Sequence, residues 1–343
     1  MNARADSDAV PVFDGAATLG ETWRDIVAAR VPLVAARVDG EVRAVAAFAV
    51  RCAVQDLVDP GTALAAFADP DLVHADVDAA ERALTATSGP AAVLLAAADD
   101  RPRLRARPIE PVRDAVVMAG GFGTRLRPLT DDTPKPLLDV GGRPLLCRIL
   151  DQLAAAGVER VHVSVHYLAE RVEAVVGDGS AFGLEVRYLH EDRPLGTGAG
   201  LVLLEDVPGP FFVVNGDILT DLDLVAFGRH HVAARHFATV ATWLHDHPLA
   251  YGVVHHDSAC APASEIASIE EKPVYRYPVN AGIYVFSPDA LDEVEAGAPL
   301  AMVDFLNQHA RTRSIGRFPL VEYWNDVGSH ADYERAQRDV EEL

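Results

Sequence analysis

An apolar run, Ala115–Met118, breaks off into Gly120-Gly121-Phe122-Gly123-Thr124-Arg125, and strand-like and helix-like segments alternate from there onward. Helical spacing over Leu145–Ala156 and Ala169–Val176 separates strand-like runs at Arg160–Val165, Glu185–Leu189 and Phe211–Asn215. The order βαβαβ implies an open α/β sheet flanked by helices, with ligands gathered at the carboxyl ends of the strands. Three glycines at such a strand end let backbone N–H groups close around phosphates, and the arginine adds a rigid fork of charged donors. The spacing fits neither the dinucleotide fingerprint G-x-G-x-x-G nor the Walker loop G-x-x-x-x-G-K-[ST].

At 343 residues the chain is long for one core, and two domains are expected. The segment Arg101–Arg113, with three prolines and five arginines, looks like the seam and sets the expected division at 1–110 and 111–343. The formal charge of −21 disfavours nucleic acid or an anionic membrane as a partner, so a small anionic substrate must find a local basic site. No apolar run reaches the length of a membrane span, and the N-terminus lacks a basic-then-apolar signal pattern, so a cytoplasmic protein is expected. Cys52, Cys147 and Cys260 are far apart and indicate neither a disulfide framework nor a zinc site. The pairs His230-His231, His245/His247 and His255-His256 lack a second ligand group at helical spacing and read as surface or loop residues. Of thirty basic side chains only two are lysines, Lys135 and Lys272. In an arginine-biased chain, a lysine that survives hints that a compact ammonium is needed.

In the first hundred residues, Thr18–Arg30 has helical spacing, and Pro32–Val38 and Val42–Phe48 flank Asp39-Gly40, a hairpin dipeptide. A blurrier copy follows: a helix over Asp78–Thr87, a strand over Ala91–Ala98, a turn at Asp99-Asp100 and a return strand from Leu104. This repeat resembles a pair of cystathionine-β-synthase-type (CBS) modules, which implies a small α+β domain and, because such pairs commonly dimerise, admits a homo-oligomer. Where such modules carry nucleotide-binding polar residues after the second strand, this chain reads Ala46-Ala47-Phe48-Ala49-Val50-Arg51, so the domain is expected to pack or dimerise rather than to sense a ligand.

The segment Asp114–Pro144 resembles the signature of sugar-1-phosphate nucleotidyltransferases, the sugar-nucleotide pyrophosphorylases, with Gly120–Thr130 and Pro134–Leu138 carrying the match. Gly196-Thr197, Asn215-Gly216-Asp217, Tyr251–Val254, Glu271-Lys272-Pro273, Val279–Gly282 and Trp324–Gly328 resemble the same family in the same order. The resemblance implies a Rossmann-like nucleotide-diphospho-sugar transferase fold with a mixed sheet. It places the nucleotide at Ala119, Gly120, Gly121, Gly123, Thr124, Gly196 and Thr197. It gives Arg125 and Lys135 the triphosphate and leaving pyrophosphate, Lys272 the phosphate of the sugar, and Gly252, Glu271 and Asn280 the rest of the sugar phosphate. Both lysines thus fall on motif positions.

A sugar phosphate and a triphosphate repel each other, so cations must offset that repulsion and the charge developing on pyrophosphate. Asp217 and Asp326 are the candidate ligands of a Mg²⁺ ion. The attacking phosphate oxygen is already ionised at neutral pH, so positioning and electrostatics should supply most of the rate. Within the family, the N-terminal repeats and EKPVYRYPVNAGIYVF most resemble mannose-1-phosphate guanylyltransferases, so GTP with mannose 1-phosphate, or with a cyclitol phosphate such as valienol 1-phosphate in an antibiotic pathway, is the favoured expectation. A glucose-1-phosphate thymidylyl- or uridylyltransferase is the alternative enzyme, and a non-catalytic nucleotide-sugar-sensing subunit is the alternative of another class.

Overall fold

The computed structural model describes residues 10–39, 41–74, 79–80, 83, 92–95, 102–106, 109–205, 207–256 and 266–342. The first part begins with β1 (Val12–Asp14), α1 (Leu19–Ala28), β2 (Leu33–Val38), β3 (Glu41–Ala46) and α2 (Ala47–Gln55). Thr18 opens α1 in a capping box, its backbone N–H and hydroxyl both donating to the Glu21 carboxylate at 2.8 Å. Strands β1 and β2 are parallel and β2 and β3 antiparallel, with β4 (Ala68–Asp69) added at the edge. The strands β5 (Val73–His74), β6 (Ala92–Leu95) and β7 (Arg103–Ala106) repeat the parallel-then-antiparallel pattern in a second sheet. The expected helix over Asp78–Thr87 falls mostly outside the described residues, as do Gly40 and the Asp99-Asp100 turn.

The first hairpin departs from expectation at its end. Its second strand stops at Ala46, and Ala47–Arg51, where a worn ligand-binding stretch is expected from the sequence, is the start of α2. Ala47, Val50 and Ala53 of α2 are buried together with Ile26 of α1 and Val34 and Val45 of the sheet, so apolar packing sets the helix.

The second part is a seven-stranded mixed sheet. It uses β8 (Asp114–Met118), β11 (Arg160–Val165), β12 (Glu185–His190), β13 (Phe211–Asn215), β15 (Ala238–Pro248), β18 (Val274–Phe286) and β19 (Ile315–Leu320), in the order β12-β11-β8-β13-β18-β15-β19. Two-residue strands β9 (Asp139–Val140) and β10 (Arg143–Pro144) form a hairpin, β14 (Ile218–Thr220) pairs with β20 (Trp324–Asp326), and β16 (Val253–His256) pairs with β17 (Ile266–Glu270). The helices are α3 (Leu145–Ala155), α4 (Ala169–Val176), α5 (Ala199–Leu203), α6 (Leu224–Ala234), α7 (Met302–His309) and α8 (His330–Asp339). Strands β12, β11, β8 and β13 run parallel, and β11, β8 and β13 are buried along most of their length, whereas the edge strand β12 is half exposed. The chain leaves β8 toward β11 and β12, then returns to its other side as β13. A crevice therefore opens beyond the carboxyl end of β8, where ligands of such sheets bind.

The histidine expectation also changes. His231 is 1% exposed, hydrogen-bonded through Nδ1 to Thr239 Oγ1 at 2.9 Å, and His230 stacks on Phe48 of α2 with ring centroids 4.0 Å apart. Helix α6 packs between the sheet and the N-terminal part, and its second turn is the place where both rings are covered. Cys52 and Cys147 are free thiols, both pushed up by burial, and Cys260 lies outside the described residues. Among the described residues no helix is long and apolar enough to cross a membrane.

Candidate active site

The loop after β8 is shaped by what its neighbours leave free. Ala119 is 1% exposed and its N–H donates to Ser164 O at 2.9 Å, so its backbone donor is spent on the sheet rather than left for a phosphate. From Gly120 on the pattern reverses. Among the described residues, none of the N–H groups of Gly120, Gly121, Phe122 and Gly123 has an acceptor in the protein. Four successive unpaired donors at a strand end make a cradle for an anion. A side chain at Gly121 would meet nothing within 4 Å, which leaves that side of the cradle open.

Gly123 has φ +61, and a Cβ there would lie 2.9 Å from Thr130 Cγ2 and 3.1 Å from Lys135 Cβ. The turn closes because Thr130 Oγ1 donates to Gly123 O at 2.8 Å and Leu126 is fully buried beneath it. Glu191, His166 and Tyr167, which follow β12 and β11, fasten the loop from the side and were not anticipated from the sequence. Glu191 accepts from Ser164 Oγ at 2.7 Å and from the Leu195 N–H at 2.9 Å, and its Oε1 would stand 2.4 Å from a Cβ at Gly120. Phe122 packs edge-on against His166, and the Tyr167 hydroxyl donates to Asp131 O at 2.9 Å. Their position after parallel strands was the one available signal.

Lys135, Asp217 and Asp326 converge beside this loop. Asp217 follows β13 and Asp326 ends β20; β14 and β20 pair Ile218 with Asp326, and the Val327 N–H donates to Asp217 O at 3.1 Å. The Lys135 ammonium hydrogen-bonds Asp217 Oδ2 and stands 3.7 Å from Asp326 Oδ1. Two carboxylates share one ammonium, so the cluster lacks positive charge. Among the described residues, Asp217 Oδ1 and Asp326 Oδ1, both buried, have no hydrogen-bond partner. Burial pushes the Asp326 carboxyl up and Asp217 adds to it, against the pull of Lys135 and Arg125. Orphaned buried carboxylate oxygens fit a hard cation that prefers oxygen ligands. Among the described residues no group of three or more His, Cys, Asp or Glu side chains could hold a metal, so these two carboxylates would be the protein's share of its shell. The exposed Arg125 guanidinium reaches the same place, with Nη2 and the Asp326 carboxylate both about 3.6 Å from a Cβ built on Gly328.

The remaining expected residues lie elsewhere in the transferase part, each in its own local setting. Glu271 folds over Gly252, its Oε2 lying 3.0 Å from where a Cβ would be. Lys272 is exposed, has φ +47 and makes no ion pair among the described residues. A non-glycine residue held there costs about 1–3 kcal/mol, and such strain clusters at ligand sites. Asn280 donates to Tyr284 Oη at 2.8 Å and accepts from the Gly282 N–H at 3.0 Å, which fixes the amide and leaves its second N–H for a ligand. Gly196 has φ +87 and is pressed on Leu300. The Thr197 hydroxyl accepts the Met302 N–H at 2.9 Å, so it serves the first turn of α7, and only its own proton remains for a nucleotide.

Residues 114–342 match the nucleotidyl transferase family. The chain is 35% identical over 236 residues to a mannose-1-phosphate guanylyltransferase of Mycobacterium tuberculosis, covering 66% of this chain and 64% of that protein. It is 36% identical over 231 residues to the mannose-1-phosphate guanyltransferase of Schizosaccharomyces pombe, covering 64% and 62%. It thus spans less than two thirds of these relatives' own length. The crystal structure of HddC from Yersinia pseudotuberculosis complexed with GMP-PN superposes with a TM-score of 0.52 at 26% identity, covering 67% of this chain and all of that one. The family match begins where the seven-stranded sheet begins, and residues before 114 lie outside it. With its parallel core strands, glycine loop and paired carboxylates all inside the matched region, the chain belongs to the nucleotidyl transferase family.

Proposed function

We propose that the protein transfers a nucleotidyl group, GMP from GTP, to a sugar 1-phosphate, with mannose 1-phosphate the first acceptor to test, and releases pyrophosphate. The observation that carries the reading is the run of four N–H donors at Gly120–Gly123, unpaired among the described residues, beside the Lys135, Asp217 and Asp326 cluster. Guanine is favoured by the names of the relatives at 35% and 36% identity and by the GMP-PN complex of HddC.

In this reading the Gly120–Gly123 amides and Arg125 hold the triphosphate. Lys135 has three N–H donors and one carboxylate hydrogen bond, which leaves donors for phosphate oxygens. Lys272 meets the sugar phosphate, and Glu271 and Asn280 orient the sugar hydroxyls, so that an ionised phosphate oxygen faces the α-phosphorus in line with the departing pyrophosphate. Members of this family generally use a divalent metal; held by Asp217 and Asp326, Mg²⁺ would screen charge on the transferring phosphates. We further propose that residues 1–110 form a CBS-pair-like domain, supported by the repeated parallel-then-antiparallel strand pattern.

The test is pyrophosphate release with Mg²⁺ across GTP, ATP, UTP, CTP and dTTP against mannose, glucose, N-acetylglucosamine and valienol 1-phosphates. Release that requires GTP and one acceptor together supports the reading. A preference for dTTP or UTP with glucose 1-phosphate replaces it with the other transferase activity, and nucleotide binding without release under any pairing replaces it with a sensing role.

A further inference from the structure

The N-terminal part reaches the carboxylate pair through α2. Arg51 and Gln55, one helical turn apart and so on one face, are each 3% exposed. Both point out of their own sheet's core and into the transferase part. Arg51 Nη1 donates to Glu322 Oε2 at 2.6 Å, Nη2 donates to Glu322 Oε1, and Nη1 also reaches Pro319 O at 3.2 Å. The guanidinium lies 4.9 Å from the Phe318 ring centre. Gln55 Nε2 donates to Thr242 O and to Leu320 O at 3.3 Å, and its Oε1 accepts from Thr242 Oγ1 at 2.8 Å.

These contacts fall where the transferase sheet most needs outside support. Strand β19 is an edge strand, so carbonyls on its outer side have no neighbouring strand. Glu322 lies in the link from β19 to β20, and its Oε2 also accepts the Val321 N–H at 3.1 Å, which ties side chain to link. Asp326 comes four residues later. Between them, Tyr323 O accepts from Thr220 Oγ1 at 2.7 Å and Trp324 Nε1 donates to Ala281 O at 2.9 Å. Thr242, held by Gln55, sits opposite Asn280 across β15 and β18, next to a register shift between Val240 and Thr242. One helical face therefore holds both the link that leads to Asp326 and the strand opposite Asn280.

A buried ion pair of this kind is weak evidence for stability, because desolvation offsets most of its Coulomb attraction; what it fixes is geometry. We propose that Arg51 and Gln55 are positioning residues that set the β19–β20 link so that Asp326 faces Asp217, which makes the N-terminal part a structural component of the metal-binding centre rather than an appended module. This rests on the reading of Asp217 and Asp326 as metal ligands.

The test uses the full chain and Mn²⁺ binding followed by electron paramagnetic resonance, with no substrate present. The double variant Arg51→Met/Glu322→Met removes both charges at similar volume. It should melt within a few degrees of wild type yet bind Mn²⁺ about 10–100-fold more weakly, the range found when groups supporting metal ligands are lost. Arg51→Lys should restore part of that loss. With whichever triphosphate and acceptor turn over, kcat should fall while the KM for triphosphate stays unchanged, because the Gly120–Gly123 loop is fastened independently by Glu191 and Tyr167. Should the double variant fail to fold, Gln55→Leu is the milder substitution and should show the same weakening in smaller degree. Wild-type Mn²⁺ affinity in a folded double variant, or in Gln55→Leu when the double variant does not fold, would overturn the proposal, as would wild-type binding insensitive to Asp217→Asn. If Mn²⁺ binding follows the proposal but no substrate pair turns over, the reaction is misassigned and the positioning role stands.

Discussion

Asp217 and Asp326 share a single ammonium: Lys135 hydrogen-bonds the first and stands 3.7 Å from the second. One oxygen of each carboxylate is buried with no partner among the described residues. Desolvation and the Asp217 charge outweigh the pull of Lys135 and Arg125 on Asp326, and a bound cation would add positive charge where Asp326 needs it. Asp326→Asn should therefore raise the melting temperature of the metal-free protein slightly, since it removes a half-exposed charge whose ionised form the fold disfavours. The same variant should lower kcat at least about 100-fold. Melting curves in chelator and turnover in Mg²⁺ check the two halves; normal turnover in Asp326→Asn and in Asp217→Asn would remove the metal assignment.

Two glycines of the crevice should respond oppositely to alanine. Gly196 has φ +87, and its Cβ would stand 2.7 Å from the Leu300 carbonyl oxygen, a backbone atom that cannot swing aside. Gly196→Ala should cost about 1–3 kcal/mol of stability. At Gly121 a methyl group meets nothing within 4 Å, so Gly121→Ala should fold normally and weaken triphosphate binding by filling space reserved for phosphate. Denaturant melts together with calorimetric nucleotide titrations separate these outcomes; unaltered nucleotide affinity in Gly121→Ala would move the phosphates elsewhere.

Lys272 combines an exposed charge, no ion-pair partner among the described residues and a left-handed backbone. Lys272→Ala should raise the KM for the sugar phosphate by about tenfold or more while leaving the KM for triphosphate near wild type. An unchanged dependence on sugar-phosphate concentration would assign Lys272 another task.

His230 and His231 give the fold an acid-sensitive point. Burial lowers both to about 4, with the neighbouring His236 adding a smaller push in the same direction. The unfolded chain takes up these protons near pH 6.5 and the folded protein only near 4, so stability is complete above about 6.5 and falls as the pH drops from there toward 4. For His231, which is 1% exposed, the loss is on the order of 3 kcal/mol. Because His230 stacks on Phe48 of α2, the contact between the two parts should weaken over the same range. Urea melts between pH 4 and 7.5 measure it; a flat profile in that window would mean that the rings are solvated.

Much of the transferase part is legible in the order of its residues. The strand at Arg160–Val165 and the helix at Ala169–Val176 appear with the expected bounds, because Val161, Val163 and Val165 alternate with Arg160, His162 and Ser164 at the two-residue period of a strand, and an amphipathic helix reads as a 3.6-residue period. The glycine loop is legible because left-handed and close-packed backbone positions admit few other residues. The N-terminal part is less so. Helix α2 is apolar along most of its length and β-branched in places, so nothing local separates it from the end of a strand; its apolar packing against α1 and its own sheet decides that it is a helix.

The sequence alone determined the alternation of strands and helices, the glycine-rich turn and the residues with chemistry to offer, since each depends on local geometry or side-chain type. Only the tertiary structure decided which of them meet. The register of β14 against β20 brings Asp326 to Asp217, the Ser164 carbonyl takes the Ala119 N–H away from any ligand, and α2 turns Arg51 toward Glu322. Each of these is a pairing between distant segments, set by how the core packs and by the need to satisfy buried polar groups, and no local pattern in the chain encodes it.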